Sequence, residues 1–232
     1  MLLLIRDITD LRTKERELAV KTVAIREVHH RVKNNLQTVA SLLRLQIRNG
    51  VSDECKTHLM VSLNRVLSIA SVYELILSNE NEDKDYVDIV TLSRKVVSNL
   101  IQHCDIPIHV QFAGSSIWFD SKKAVSISLV VNELVQNSIK HAFDGRESGE
   151  ISVTFDLRRK DIVLAVKDNG AGMKEDSVPS LGLDIVRMLI EQDLSGHYQI
   201  KSSERGVENI VTFPLKQEEA FMHEQENLVG RR

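Results

Sequence analysis

A chain of 232 residues, 42% of them hydrophobic, is long enough for one ordinary soluble domain plus a smaller element, and two domains fit that length. Its 30 basic and 33 acidic residues are interspersed and leave a formal charge of −3, which offers no footprint for nucleic acid or an anionic membrane. Cys55 and Cys104 stand far apart without a CxxC or a Cys/His cluster, which argues against a disulfide framework or zinc site and fits a reducing cytoplasm; no run approaches the ~20 apolar residues of a membrane span.

Residues 2–9, LLLIRDIT, read as a short strand with a turn signal, and LRTKERELAVK then carries charge in a helical pattern. Leu11, Leu18, Ile25, Val32 and Val39 recur at heptad spacing, so this arm is expected to run unbroken into the next helix as a coiled coil. Lys14 and Lys21 interrupt the seam, which makes it looser before Ile25.

The helix over 25–45, IREVHHRVKNNLQTVASLLRL, organises the chain. Ile25, Val28, Val32, Leu36, Val39 and Leu43 fall within about 40° of one direction. His30 points about 160° away from that stripe, beside Glu27, Asn34, Gln37 and Ser41, whereas His29 lies at its edge, about 60° off. In isolation a polar-face histidine is solvated surface. Past Arg48, Gly50 suits a helix end and Ser52 or Asp53 a cap for a second helix, striped by Leu59, Leu63, Val66, Leu67, Ala70, Tyr73 and Leu77. The two helices make an antiparallel hairpin with one sticky face, and pairing two copies into a four-helix bundle would bury the stripes; a homodimer is expected.

Residues 79–85, NENEDKD, form a polar break between domains. Beyond it, residues 87–104, 122–143 and 181–193 read as helices, and 106–113, 116–119, 151–157, 162–167, 198–203 and 209–215 as strands. Helices grouped against a mixed sheet give an α/β sandwich, so the whole is α+β: a helical hairpin over 21–82, a sandwich over 83–217, and a polar tail over 218–232.

Three motifs in the sandwich carry chemistry. NELVQNSIKHAF, residues 132–143, puts Glu133, Asn137 and Lys140 on one helix face, with His141 adjacent. DNGAGM, residues 168–173, ends a strand: the Asp168 carboxylate can accept from an exocyclic amine, and Gly170 and Gly172 allow backbone to approach a flat ligand. SLGLDIV, residues 180–186, places Gly182 where a helix starts and free N–H groups suit phosphate. Alone these are a solvated face, a turn and a capping glycine; their order and spacing shift the odds.

EVHHRVKNNLQ resembles the phosphoacceptor box of sensor histidine kinases, in the HRxKN (HisKA_2, HWE-like) subfamily, and the three later motifs together resemble the Bergerat (GHKL) ATP-binding fold; the resemblance covers about residues 21–215. It implies a kinase that transfers phosphate from ATP to its own histidine and on to an aspartate of a response regulator. Carried over by motif, His30 is the acceptor, with His29 second; Asn137 holds Mg²⁺ beside Glu133; Lys140 and His141 face phosphates; Asp168 reads adenine; and Gly170, Gly172, Leu181, Gly182 and Leu183 line the pocket. Asn34 resembles the residue that orients water for dephosphorylating a partner.

Arg31 stands where many histidine kinases carry an acidic base, which leaves Glu27 or Glu133 for that part. Glu133 in place of a first Asn, Leu181 in place of a glycine, and a short lid between the glycine boxes fit the subfamily; Val207, where Thr is frequent, matches less well. Residues 1–20 resemble the end of a PAS domain and its signalling linker, which implies a sensory domain upstream; an ordinary N-terminal arm is the alternative. The rival functions are a chaperone-like ATPase of the same fold or an anti-sigma-type serine kinase, neither of which requires a hairpin histidine followed by RVKN, and a non-catalytic dimerisation module, which would tolerate loss of Asn137 or Asp168.

Overall fold

A computed structural model describes residues 9–49, 52–77, 86–102, 104, 106–173 and 181–215. The strand expected up to residue 8, the break at 79–85, the lid at 174–180 and the tail at 218–232 lie outside the described residues. The chain divides into two compact units between Asp85 and Tyr86.

The first unit is a helical hairpin. Helix α1 (Thr9–Arg48) is unbroken over 40 residues, so Thr9 opens a helix where the sequence suggested the end of a strand. Helix α2 (Asp53–Leu77) is capped by Ser52, whose hydroxyl accepts from Cys55 N at 3.4 Å. Ala40, Leu63, Ala70 and Val72 are buried, and Lys33 Nζ clasps Glu74 Oε1 across the helices at 2.7 Å. The expected apolar stripe is only partly used: Val28 is 57% and Val39 43% exposed. The side facing α2 centres on Leu36 and Ala40, so Val28, Val39 and the exposed Leu42 lie ~80° to ~140° around the helix, a second apolar strip that a single hairpin leaves open.

The second unit carries a five-stranded sheet in the order β2-β4-β5-β7-β6, formed by β2 (Ile108–Ala113), β4 (Gly149–Arg158), β5 (Asp161–Asp168), β6 (His197–Ser203) and β7 (Gly206–Pro214). The β2–β4 pair is parallel and the rest antiparallel. Alternate residues Ile151, Val153 and Phe155, Ile162, Leu164 and Val166, and Val211 and Phe213 are buried, so period-two patterning gives the sheet one apolar face. Covering helices are α3 (Ile89–Ile101), α4 (Ser121–His141) and α5 (Leu181–Met188), the last continuing as a π-helical turn over Leu189–Asp193.

One expected boundary is corrected. The helix read from Val87 starts at Ile89, because β1 (Tyr86–Asp88) pairs antiparallel with β3 (Trp118–Asp120). Val87, Ile89 and Val90 suit either state, and Asp88 decides. Buried, its Oδ1 accepts from Val90 N (3.1 Å) and Ile117 N (3.2 Å), and its Oδ2 from Thr91 Oγ1 (2.6 Å) and Ser116 Oγ (3.0 Å). Asp88→Ala strands two backbone donors and is expected to lower the stability of this unit by roughly 3 kcal/mol, read by urea unfolding; a change within ~0.5 kcal/mol would refute the role.

No helix among the described residues is long and apolar enough to cross a membrane.

Candidate functional site

In the hairpin, α1 presents its box as helical periodicity requires. His30 and Asn34 are exposed on the polar side, and Arg31 Nε donates to Glu27 Oε1 at 2.8 Å one turn back. That pairing holds the Glu27 carboxyl below the usual range and makes it a weaker base.

His29 is half-buried, its ring 5.4 Å from that of Tyr73 on α2, and neither ring nitrogen has a hydrogen-bond partner. Burial, then the neighbouring His30, pushes its pKa below the ordinary value, so the folded hairpin favours neutral imidazole. The unfolded chain binds the proton more readily. Stability is therefore complete above pH ~6.5 and falls as the pH drops through that value toward the lower folded pKa. Acidification from pH 7.5 to 5.5 is expected to lower the melting temperature of the parent chain more than that of His29→Phe. Equal losses would dismiss His29 as the titrating group.

In the second unit, α4 and the end of β5 build one cluster. Asp168 is 3% exposed, and its carboxylate takes three hydrogen bonds: Oδ1 from Gly170 N (3.0 Å) and Val207 N (3.1 Å), Oδ2 from Ser138 Oγ (2.9 Å). Beside Ser138 on the same helix stands Asn137, whose Nδ2 is buried without a partner, and one turn earlier Glu133 is 5% exposed. Lys140 and His141 are exposed in the last turn of α4, where cations complement the helix dipole. Leu181 opens α5, Gly182 is buried and Leu183 half-buried.

The glycines of DNGAGM meet the protein itself at close range. A Cβ on Gly170 would lie 2.4 Å from Ala142 Cβ, and one on Gly172, at φ +79°, 2.2 Å from Ser203 O. Ala171 N donates to Ala142 O at 3.2 Å, so the loop is stitched to the end of α4.

Sequence reading missed two residues here. Ser138 is a small hydroxyl directly after Asn137 and four residues after the buried Leu134, and that place on the buried side of the helix was its signal. Gly206, at φ +119°, brings the β6–β7 turn so close that a Cβ would fall 2.0 Å from Asp168 O. Val207, the weaker motif match, meets the cluster through its backbone, whose N–H donates to Asp168 Oδ1.

The chemistry suits magnesium: the Asn137 side chain offers a carbonyl oxygen, the buried Glu133 carboxyl lies one turn away, and the ion usually keeps waters and takes substrate oxygens.

Two family models match the chain, one described as "Histidine kinase" (HisKA_2) over residues 27–104 and one as "Histidine kinase-, DNA gyrase B-, and HSP90-like ATPase" (HATPase_c) over residues 122–218. Among similar proteins, the sensor histidine kinase PdtaS of Mycobacterium tuberculosis is 35% identical over 92% of this chain and 44% of its own length. Blue-light-activated histidine kinase 2 of Erythrobacter litoralis is 26% identical over 86% of this chain and 59% of its own length. The histidine kinase domain of the Erythrobacter litoralis EL346 blue-light activated kinase shares the fold, with a TM-score of 0.61 at 23% identity, over 88% of this chain and 98% of that one. The chain thus spans less than half the length of the PdtaS relative.

Proposed function

From the premise that this chain is a homologue of the sensor histidine kinases, with a HisKA_2 region followed by a HATPase_c domain, we propose that it transfers the γ-phosphoryl group of ATP to His30 and passes it to an aspartate of a response regulator receiver domain. The observation that carries this reading is the exposed imidazole of His30, inside the region matched by the histidine kinase model, in a chain whose other unit fixes the Asp168 carboxylate with three donors.

Phosphoryl transfer is chiefly positioning and charge stabilisation, so each residue has a modest task. Asp168 accepts the adenine amine. Asn137, with Glu133 beside it, would hold Mg²⁺, and the bound ion would neutralise charge on the phosphates. Lys140 and His141 lie toward the phosphates, and Gly170, Gly172, Leu181, Gly182 and Leu183 form the walls. His30 is exposed, and its neutral imidazole carries the nitrogen lone pair that attacks. Its proton passes to a carboxylate; the ion pair that weakens Glu27 supports Glu133 for this part, and Arg31 contributes charge to the transferring group.

Asn34, exposed and one turn beyond His30, supports a second activity, orienting water to dephosphorylate the response regulator. The open strip of Val28, Val39 and Leu42 supports a homodimer in which two hairpins make a four-helix bundle. A cytoplasmic setting and an upstream PAS-like sensor complete the reading.

Incubation of the purified chain with γ-labelled ATP tests it. Label on the protein that survives base and is lost in acid supports phosphohistidine; acid-stable label, or free phosphate alone, supports the serine kinase or ATPase alternatives.

A further inference from the structure

We propose that Ser138 is a positioning residue for the nucleotide base: its hydroxyl fixes the plane of the Asp168 carboxylate so that one remaining acceptor direction, on Oδ2, is held ready for a 6-amino purine. This inference rests on the reading of the second unit as an ATP site.

A carboxylate offers about four acceptor positions. Two on Asp168 Oδ1 are taken by the backbone N–H groups of Gly170 and Val207, and one on Oδ2 by the Ser138 hydroxyl at 2.9 Å. What is left is a single acceptor on Oδ2, next to a hydroxyl oxygen that has spent its proton and retains lone pairs. Both atoms can receive hydrogen from an exocyclic amine, and neither can satisfy a carbonyl or a bare C–H edge.

The backbone donors alone would not achieve this. Both meet Oδ1 and occupy no acceptor direction on Oδ2; the serine hydroxyl makes the only hydrogen bond to Oδ2 among the described residues, and as a third tie it damps rotation of the carboxylate about its Cβ–Cγ bond. Ser138 is 4% exposed, so water does not readily replace it. Its backbone belongs to α4, the helix that carries Asn137 one residue earlier, so one rigid element orients the adenine acceptor and the proposed magnesium ligand together.

The test is a binding cycle on the full chain between the ligand amine and the protein hydroxyl, using ATP and purine riboside triphosphate, which lacks the 6-amino group. The parent chain is expected to prefer ATP. In Ser138→Ala, ATP should bind about ten- to a hundred-fold more weakly, the range set by a hydrogen bond to a charged group, and the analogue less than ~3-fold more weakly, so that the preference collapses. Ser138→Thr, which keeps the hydroxyl, should restore it. Should Ser138→Ala fail to melt cooperatively, Ser138→Cys, with a weak donor of similar size, is expected to show the same loss of preference.

Equal weakening of both nucleotides, or an unchanged preference, overturns the proposal and leaves Ser138 as packing between α4 and β5. If the parent chain binds neither nucleotide, the ATP-site reading fails with it; if the parent prefers ATP and the alanine variant keeps that preference, this inference alone fails.

Discussion

His30→Gln is expected to abolish ATP-derived label on the protein, at least a hundred-fold below the parent chain, while His29→Gln keeps label within about three-fold. The contrast follows from where α1 points the two rings. His30 is exposed on the polar side with its nitrogens in solvent, so glutamine removes the nucleophilic lone pair and little else; an exposed substitution of this kind ordinarily moves stability by no more than ~0.5 kcal/mol. His29 packs on Tyr73 at 5.4 Å with both nitrogens unpartnered, out of reach of an incoming phosphoryl group. Quantified label at matched protein concentration, with melting curves as control, decides between them. Label lost in His29→Gln and kept in His30→Gln would move the acceptor one residue and require the hairpin to open for chemistry.

Where one periodicity governed a segment, the sequence was legible. The alternation of Ile151, Val153 and Phe155 and of Ile162, Leu164 and Val166 specified a one-faced hairpin, and both strands are found, extended to Gly149–Arg158 and Asp161–Asp168. The separation of His30 from His29 followed from 3.6-residue geometry alone. Where two patterns competed, reading failed. The run from Val87 to Val90 fits a strand or a helix, and only the long-range bonds from Ser116 and Ile117 to Asp88 choose. The apolar stripe of α1 gave a direction but not a division: which valines face α2 and which stay open depends on how Ala40 lets the helices approach.

At the nucleotide cluster the limit was similar in kind. DNGAGM marked Asp168 by its place at a strand end and supplies one donor, Gly170 N, yet the other two donors that fix its carboxylate come from residues 30 and 39 positions away in sequence. No local pattern encodes such a contact. Gly170 and Gly172 were read as making room for a ligand, and the distances to Ala142 and Ser203 add a nearer reason: only glycine lets the loop lie against α4 and β6 at all.

Asp168→Asn is expected to weaken ATP binding about a hundred-fold with little loss of stability, and it separates recognition from folding more sharply than truncation would. The amide is isosteric with the carboxylate but has one acceptor oxygen. That oxygen must take the Oδ1 place, since Gly170 N and Val207 N are backbone donors that cannot reorient. The NH₂ then falls at the Oδ2 place against Ser138, whose hydroxyl can rotate and accept, so every internal contact survives with one direction reversed. What changes is the face offered to the base: a donor now confronts the adenine amine, also a donor, and the lost bond to a charged acceptor corresponds to about 1.5–3 kcal/mol, roughly one to two decades before repulsion is counted. Titration with ATP, alongside thermal melting, measures both quantities. Tight ATP binding by the asparagine variant would mean that Asp168 holds the loop and reads no base, and the site would have to be sought elsewhere on the sheet.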